Sequence, residues 1–139
     1  MSENTKDTMT VTLPGGRRAV ASYLGFEIAT DQSVKYGGDA SAPEPFDLFL
    51  ASLATCAGAY VVGFCRNRDI PTDGVRIVQS WRRDSEGALA AVDVRIEVPP
   101  EFPEKYHEAL VRVANKCSVK KAIQNAPEFS VETHVRSEE

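Results

Sequence analysis

The sequence predicts an α+β protein whose strands pair mainly antiparallel around one long apolar helix. Three observations lead there. Short runs with strand-like alternation lie on both sides of a central stretch. That stretch, from Leu48 to Cys65, carries no charged residue. Strand and helix patterns do not alternate regularly, as the parallel sheet of a βαβ fold requires.

A chain of 139 residues is the length of one ordinary domain, so a single domain is expected over 1–139, with 1–9 as a flexible leader. The leader is polar and has no apolar h-region, so no signal peptide is expected. A composition of 42% hydrophobic and 26% charged residues is enough to bury a core without disulfides or metal. The net charge is −4 and the basic residues are scattered, which excludes the basic patch that phosphate neutralisation requires; no nucleic-acid partner is expected. Three cysteines without a secretion signal suit a reducing, cytoplasmic compartment. With no CxxC pair and only His107 and His134, no metal site is expected.

Val11 and Leu13 alternate with Thr10 and Thr12, and Pro14-Gly15-Gly16 signals a turn. Val20, Tyr23, Phe26 and Ile28 continue the pattern to Thr30 as one or two further strands. Residues 31–45, with Gly37-Gly38, Pro43 and Pro45, read as a loop. From Asp47 to about Arg68 the text becomes helical, with an acid at its start and arginines at its end. A helix of ~22 residues is roughly 33 Å long, and one this apolar is expected to be buried nearly all round. The competing reading is a membrane span, but the run is slightly short and contains Ser52, Thr55, Gly58 and Gly63. No membrane partner is therefore expected.

After Ile70-Pro71-Thr72-Asp73-Gly74, strands resume around Val75 to Trp81 and Ala91 to Val98, with a hairpin turn at Asp84-Ser85-Glu86-Gly87. Pro103 and Glu104 open a second helix. Tyr106, Leu110, Val113, Ala114, Val119, Ala122 and Ile123 form its apolar face, with a bend or restart expected near Cys117-Ser118. Phe129, Val131, Thr133 and Val135 read as a last strand. One sheet covers so apolar a helix poorly, and an intertwined homodimer would bury it against its mate.

For chemistry, the cysteines stand out. A reactive cysteine works as its thiolate and needs both access and something that lowers its pKa. Cys56 and Cys117 are 61 positions apart, and spacing alone does not bring them together. Buried helix thiols are also common and usually inert, so packing roles stay open. Cys65, nine residues after Cys56, faces the other side of the helix and reads as a packing residue. No G-x-S-x-G, Walker loop or GxGxxG is present.

The run from Gly37 through Pro43-Glu44-Pro45-Phe46-Asp47-Leu48 to Ala54-Thr55-Cys56 resembles the first signature of the OsmC/Ohr family. That signature is a Gly-rich loop, a Pro-x-acid segment and a small-residue helix ending at a cysteine. Val113-Ala114-Asn115-Lys116-Cys117-Ser118-Val119 resembles its second, although the family usually has Pro-Val-His after that cysteine. The resemblance implies an OsmC-like fold and an intertwined homodimer. It also implies a thiol-dependent peroxidase that reduces organic hydroperoxides in oxidative-stress defence, with no cofactor. Cys56 would become a sulfenate, Cys117 would resolve it as a Cys56–Cys117 disulfide, and an external dithiol would reduce that bond. The family also uses an arginine held by a carboxylate. Arg17 resembles the arginine of the Ohr branch, whereas the OsmC-branch position holds Lys35. The peroxidase branches place a glutamate ten residues before the first cysteine, where this chain has Phe46; Asp47, one position later, is the candidate acid. The alternatives are a non-catalytic OsmC-like module that binds a small molecule and a structural dimer with packed cysteines.

Overall fold

The structure is a computed structural model and describes residues 7–137. The part of the expected leader over 1–6, and the last two residues of the tail, lie outside the described residues; 7–9 are exposed and without regular structure. The chain divides within its long helix into two compact units, one through Ser52 and one from Leu53.

The first unit opens with an antiparallel meander of β1 (Thr10–Gly15), β2 (Arg18–Tyr23) and β3 (Phe26–Thr30). The stretch after the first turn therefore holds two strands. Val11 pairs with Ala21, and Val20 with Ala29. The β2–β3 hairpin turns on Leu24 and Gly25, both at positive φ, as a tight two-residue hairpin loop requires.

The loop that follows contains one 3-10 turn, Val34–Tyr36, and is tied together by two carboxylates. Asp31 is almost fully buried and accepts the Ser41 hydroxyl at 2.6 Å, the Gln32 N–H at 2.7 Å and the Ser41 N–H at 3.0 Å. Glu44 accepts the Ser33 N–H at 3.1 Å. Gly38 lies so close to the Gln32 carbonyl and the Asp31 carboxylate that a Cβ there would collide with both.

α1 (Pro45–Arg66) starts two residues before the predicted boundary. Proline's fixed φ suits a first helical position. The Asp47 carboxylate reaches back to the Glu44 N–H at 2.9 Å and satisfies a donor that the helix leaves open. At the other end the Arg68 guanidinium stacks 3.7 Å from the centre of the Phe64 ring and donates to the Phe64 carbonyl.

The second unit continues α1 and adds a hairpin of β4 (Arg76–Arg83) and β5 (Leu89–Glu97), in which Ile77 faces Ile96 and Trp81 faces Val92. The Asp84 carboxylate accepts the Glu86 and Ala88 N–H groups and shapes the turn. After a 3-10 turn at Glu104–Tyr106 come α2 (His107–Ala114) and α3 (Ser118–Gln124). The second helix does restart, because Cys117 leaves the helical backbone conformation and separates the two. The core joins Val61, Phe64 and Cys65 of α1 to Phe102 and Leu110, with Ile77, Ile96 and Val98 packed on it. Each such side chain stabilises the fold by roughly 1.5–3 kcal/mol when fully buried.

Two expectations are corrected. The helix is not buried all round, since only 28% of its apolar window is inside this chain. Leu50, Ala57, Val61 and Phe64 turn inward on one stripe, while Val62 on the opposite side is 44% exposed. By length and composition α1 also passes as a membrane span, as the core helix of a soluble protein can. The predicted last strand over 129–135 is absent: residues 125–137 have no regular structure, and Val131 is 98% exposed. A strand needs a ladder partner, and no strand among the described residues pairs with this one.

Candidate thiol site

Cys56 lies midway along α1, one position before the inward-facing Ala57, so its sulfur is only partly covered. Cys117 is buried at the break between α2 and α3, where its Sγ accepts the Lys120 N–H at 3.3 Å and caps α3. The break turns the start of α3 toward α1. The Ser118 Oγ comes within 3.7 Å of the Cys56 Sγ, which brings the adjacent Cys117 to the same site. Residues 61 positions apart in sequence thus share one site.

The surroundings push the two thiols in opposite directions. Cys56 is lowered from 9.0 to about 7, first by the Val119 backbone N–H and then by the Cys117 side chain; desolvation opposes them, and the Ser118 hydroxyl and N–H add smaller contributions. Burial pushes Cys117 up, and the neighbouring Cys56 adds to the rise. Near neutral pH Cys56 is thus the thiol that ionises first, while Cys117 keeps its proton. A nucleophile beside a protonated thiol is the division of roles that two titratable groups with diverging pKa values can support. Cys65 is fully buried in the core, and burial raises its pKa.

The remaining candidates lie in the first unit. Arg17, exposed in the β1–β2 turn, sets its guanidinium against Gly37 of the loop. Asp47 caps α1 through the Glu44 N–H. Phe46 packs on Phe49 with ring centroids 5.2 Å apart, and Lys35 holds its ammonium 5.4 Å from the Tyr36 ring. His107 and His134 are exposed. Among the described residues no cluster of His, Cys, Asp and Glu side chains gathers as metal ligands would. One participant escapes the sequence reading: Ser118 stands out there only as the place of a missing proline, although a serine directly after a cysteine carries a hydroxyl donor.

A largely apolar cleft of about 440 Å³ lies in the second unit between α1 and the start of β4, lined by Ala54, Thr55, Gly58, Val62, Val75 and Ile77 among others. Thr55 reaches it, but Cys56 projects from a different side of the helix.

An α+β chain with antiparallel hairpins and one long apolar helix, with Cys56 and Cys117 brought to one side of that helix, defines a protein of OsmC-like architecture. The comparisons agree. The model of the OsmC-like protein family matches residues 38–132, and the chain belongs to that family. Its structure is similar to that of a protein from Psychrobacter arcticus named for osmotic stress induction and a detoxification response, with a TM-score of 0.74 and 25% identity over 88% of this chain and 91% of that one. An OsmC-like protein from Mycoplasma pneumoniae aligns with a TM-score of 0.67 and 17% identity over 88% and 90% of the two chains. An organic hydroperoxide resistance protein OsmC from Legionella pneumophila aligns with a TM-score of 0.55 and 20% identity over 87% and 92%. No curated protein matches in sequence.

Proposed function

We propose that the protein is a cytoplasmic, cysteine-based peroxidase for organic hydroperoxides, acting in oxidative-stress defence as an intertwined homodimer. One observation carries the reading: the partly exposed Cys56 sulfur meets the start of α3, 3.7 Å from the Ser118 hydroxyl and so beside the buried Cys117, in surroundings that lower its pKa to about 7. The Cys56 thiolate attacks one peroxide oxygen. The S–O bond forms as the O–O bond breaks, and the leaving alkoxide takes a proton and departs as the alcohol. Cys117 then attacks the sulfenic sulfur, a disulfide forms and water leaves. An external dithiol returns both thiols to the reduced state. The name of the Legionella pneumophila protein, organic hydroperoxide resistance, supports the substrate class. Arg17 beside the Gly-rich loop and Asp47 at the start of α1 are the proposed orienting pair.

The homodimer is supported by the apolar surface that a single chain leaves open: Leu13, Phe26 and Leu24 are each at least 70% exposed, and so are Phe129, Val131 and Val135. A second copy that covers α1 and gives residues 129–135 a ladder would account for both.

The test treats the reduced protein with one equivalent of an organic hydroperoxide and maps its thiols by mass spectrometry without reductant. A Cys56–Cys117 disulfide that forms faster than with hydrogen peroxide supports the peroxidase. Untouched thiols transfer the reading to the non-catalytic binding module, for which the apolar cleft beside Thr55 and Gly58 is the observation in favour.

A further inference from the structure

We propose that Ser118 is a positioning residue of the thiol site, whose hydroxyl donates to the Cys56 sulfur and favours its thiolate. The inference rests on the reading of Cys56 as the nucleophile and names the group that keeps it ready. The geometry is direct: the Ser118 Oγ stands 3.7 Å from the Cys56 Sγ, within reach for a hydrogen bond to sulfur. Its placement is fixed on the chain side by the cap immediately before it. Because the Cys117 Sγ accepts the Lys120 N–H, Ser118 is set as the first residue of α3 and its side chain is presented toward α1.

Lys120, two residues further along α3, does not take this part: its ammonium is engaged by the Asn115 side-chain oxygen at 3.0 Å, and Cys117 contributes a thiol that burial keeps protonated. The groups that lower the Cys56 pKa are neutral donors: the Val119 N–H first, then the Cys117 side chain, then the hydroxyl and N–H of Ser118. Of these, the Ser118 hydroxyl is the one that substitution removes without touching a cysteine or the backbone.

The experiment follows alkylation of Cys56 by iodoacetamide, resolved by mass spectrometry of its peptide, from about pH 5 to about pH 9, with no peroxide present. The wild-type rate should be half-maximal near pH 7. In Ser118→Ala the midpoint should move upward and the rate at pH 6 should drop by roughly three-fold to ten-fold, as the thiolate fraction does. Because the alanine variant also changes the packing, the isosteric pair Ser118→Thr and Ser118→Val is measured beside it. The threonine should keep most of the wild-type profile and the valine should follow the alanine. Melting curves by circular dichroism show that each variant is folded. An unchanged midpoint in Ser118→Ala, or threonine and valine profiles that coincide, would overturn the proposal. If the profiles behave as expected while wild-type protein ignores organic hydroperoxide, the peroxidase reading fails and the role of Ser118 stands.

Discussion

The sulfur of Cys117 accepts the Lys120 backbone N–H at 3.3 Å, so the thiol assigned to resolve the sulfenate is also the residue that caps α3. A hydroxyl is a better acceptor for such a cap than a thiol. Cys117→Ser should therefore keep α3 and melt near the wild-type temperature. Cys117→Ala loses the cap and should cost about 1 kcal/mol. Chemical denaturation of the two variants side by side checks the difference.

The thiol assignment has its own signature. Cys56→Ser should abolish disulfide formation and hydroperoxide turnover altogether. Cys117→Ser should still consume about one equivalent of organic hydroperoxide and stop at a sulfenic acid, which dimedone traps. Intact-mass spectra after a short exposure decide the matter, and full turnover by Cys56→Ser would move the attack to another residue.

Asp31 sets the acid limit of the loop. The Ser41 hydroxyl, the Ser41 N–H and the Gln32 N–H, in that order, hold its carboxyl down from 3.8 to about 2. A depressed acid contributes stability that is complete above the unfolded value and lost as pH falls through the folded one. The Asp31 contribution should accordingly be whole above about pH 4 and fade toward pH 2. Asp31→Asn should melt lower at neutral pH and lose part of this acid dependence. Thermal melts of both proteins across that window read the slope directly.

Two glycines should respond in opposite ways. Gly38→Ala pushes a methyl into the Gln32 carbonyl and the Asp31 carboxylate, so the loop must open and stability must drop. Gly63, inside α1, has open space where its Cβ would be, and alanine there should stabilise the monomeric fold by about 1 kcal/mol. If Gly63→Ala instead weakens self-association, that face of the helix is where the second copy sits. Sedimentation and melting of the same samples separate the two effects.

The core prediction is simpler. Leu110 is 2% exposed and packs with Val61, Phe64, Cys65 and Phe102. Leu110→Ala should cost 2–5 kcal/mol, depending on how far the cavity collapses. A urea transition midpoint shifted with an unchanged slope would show that the loss is local packing.

What could be read from the sequence follows physical range. The meander and the β4–β5 hairpin were legible because alternation and turn residues act within a few positions, as Asp84 and Gly87 do in their turn. The start of α1 was missed by two residues because Pro45 and the reach of Asp47 to Glu44 define it together, and either alone reads as loop. The strand expected at Phe129 to Val135 has the right pattern, but a strand exists only with a partner ladder, and pattern cannot supply one. The site divides the same way. The cysteines were visible as chemistry, but their approach depends on the break at Cys117, where Lys120 folds the chain back on the thiol. No spacing rule encodes that.

Cys65 has no part in the proposed reaction, yet it gives the molecule an internal witness. It is 0% exposed inside the core, and burial keeps its thiol protonated. A reagent that silently counts sulfurs would meet it last, and only when the core comes apart. Preparations that have begun to unravel would then be told from intact ones by a single cysteine, with no added label and no assay of activity.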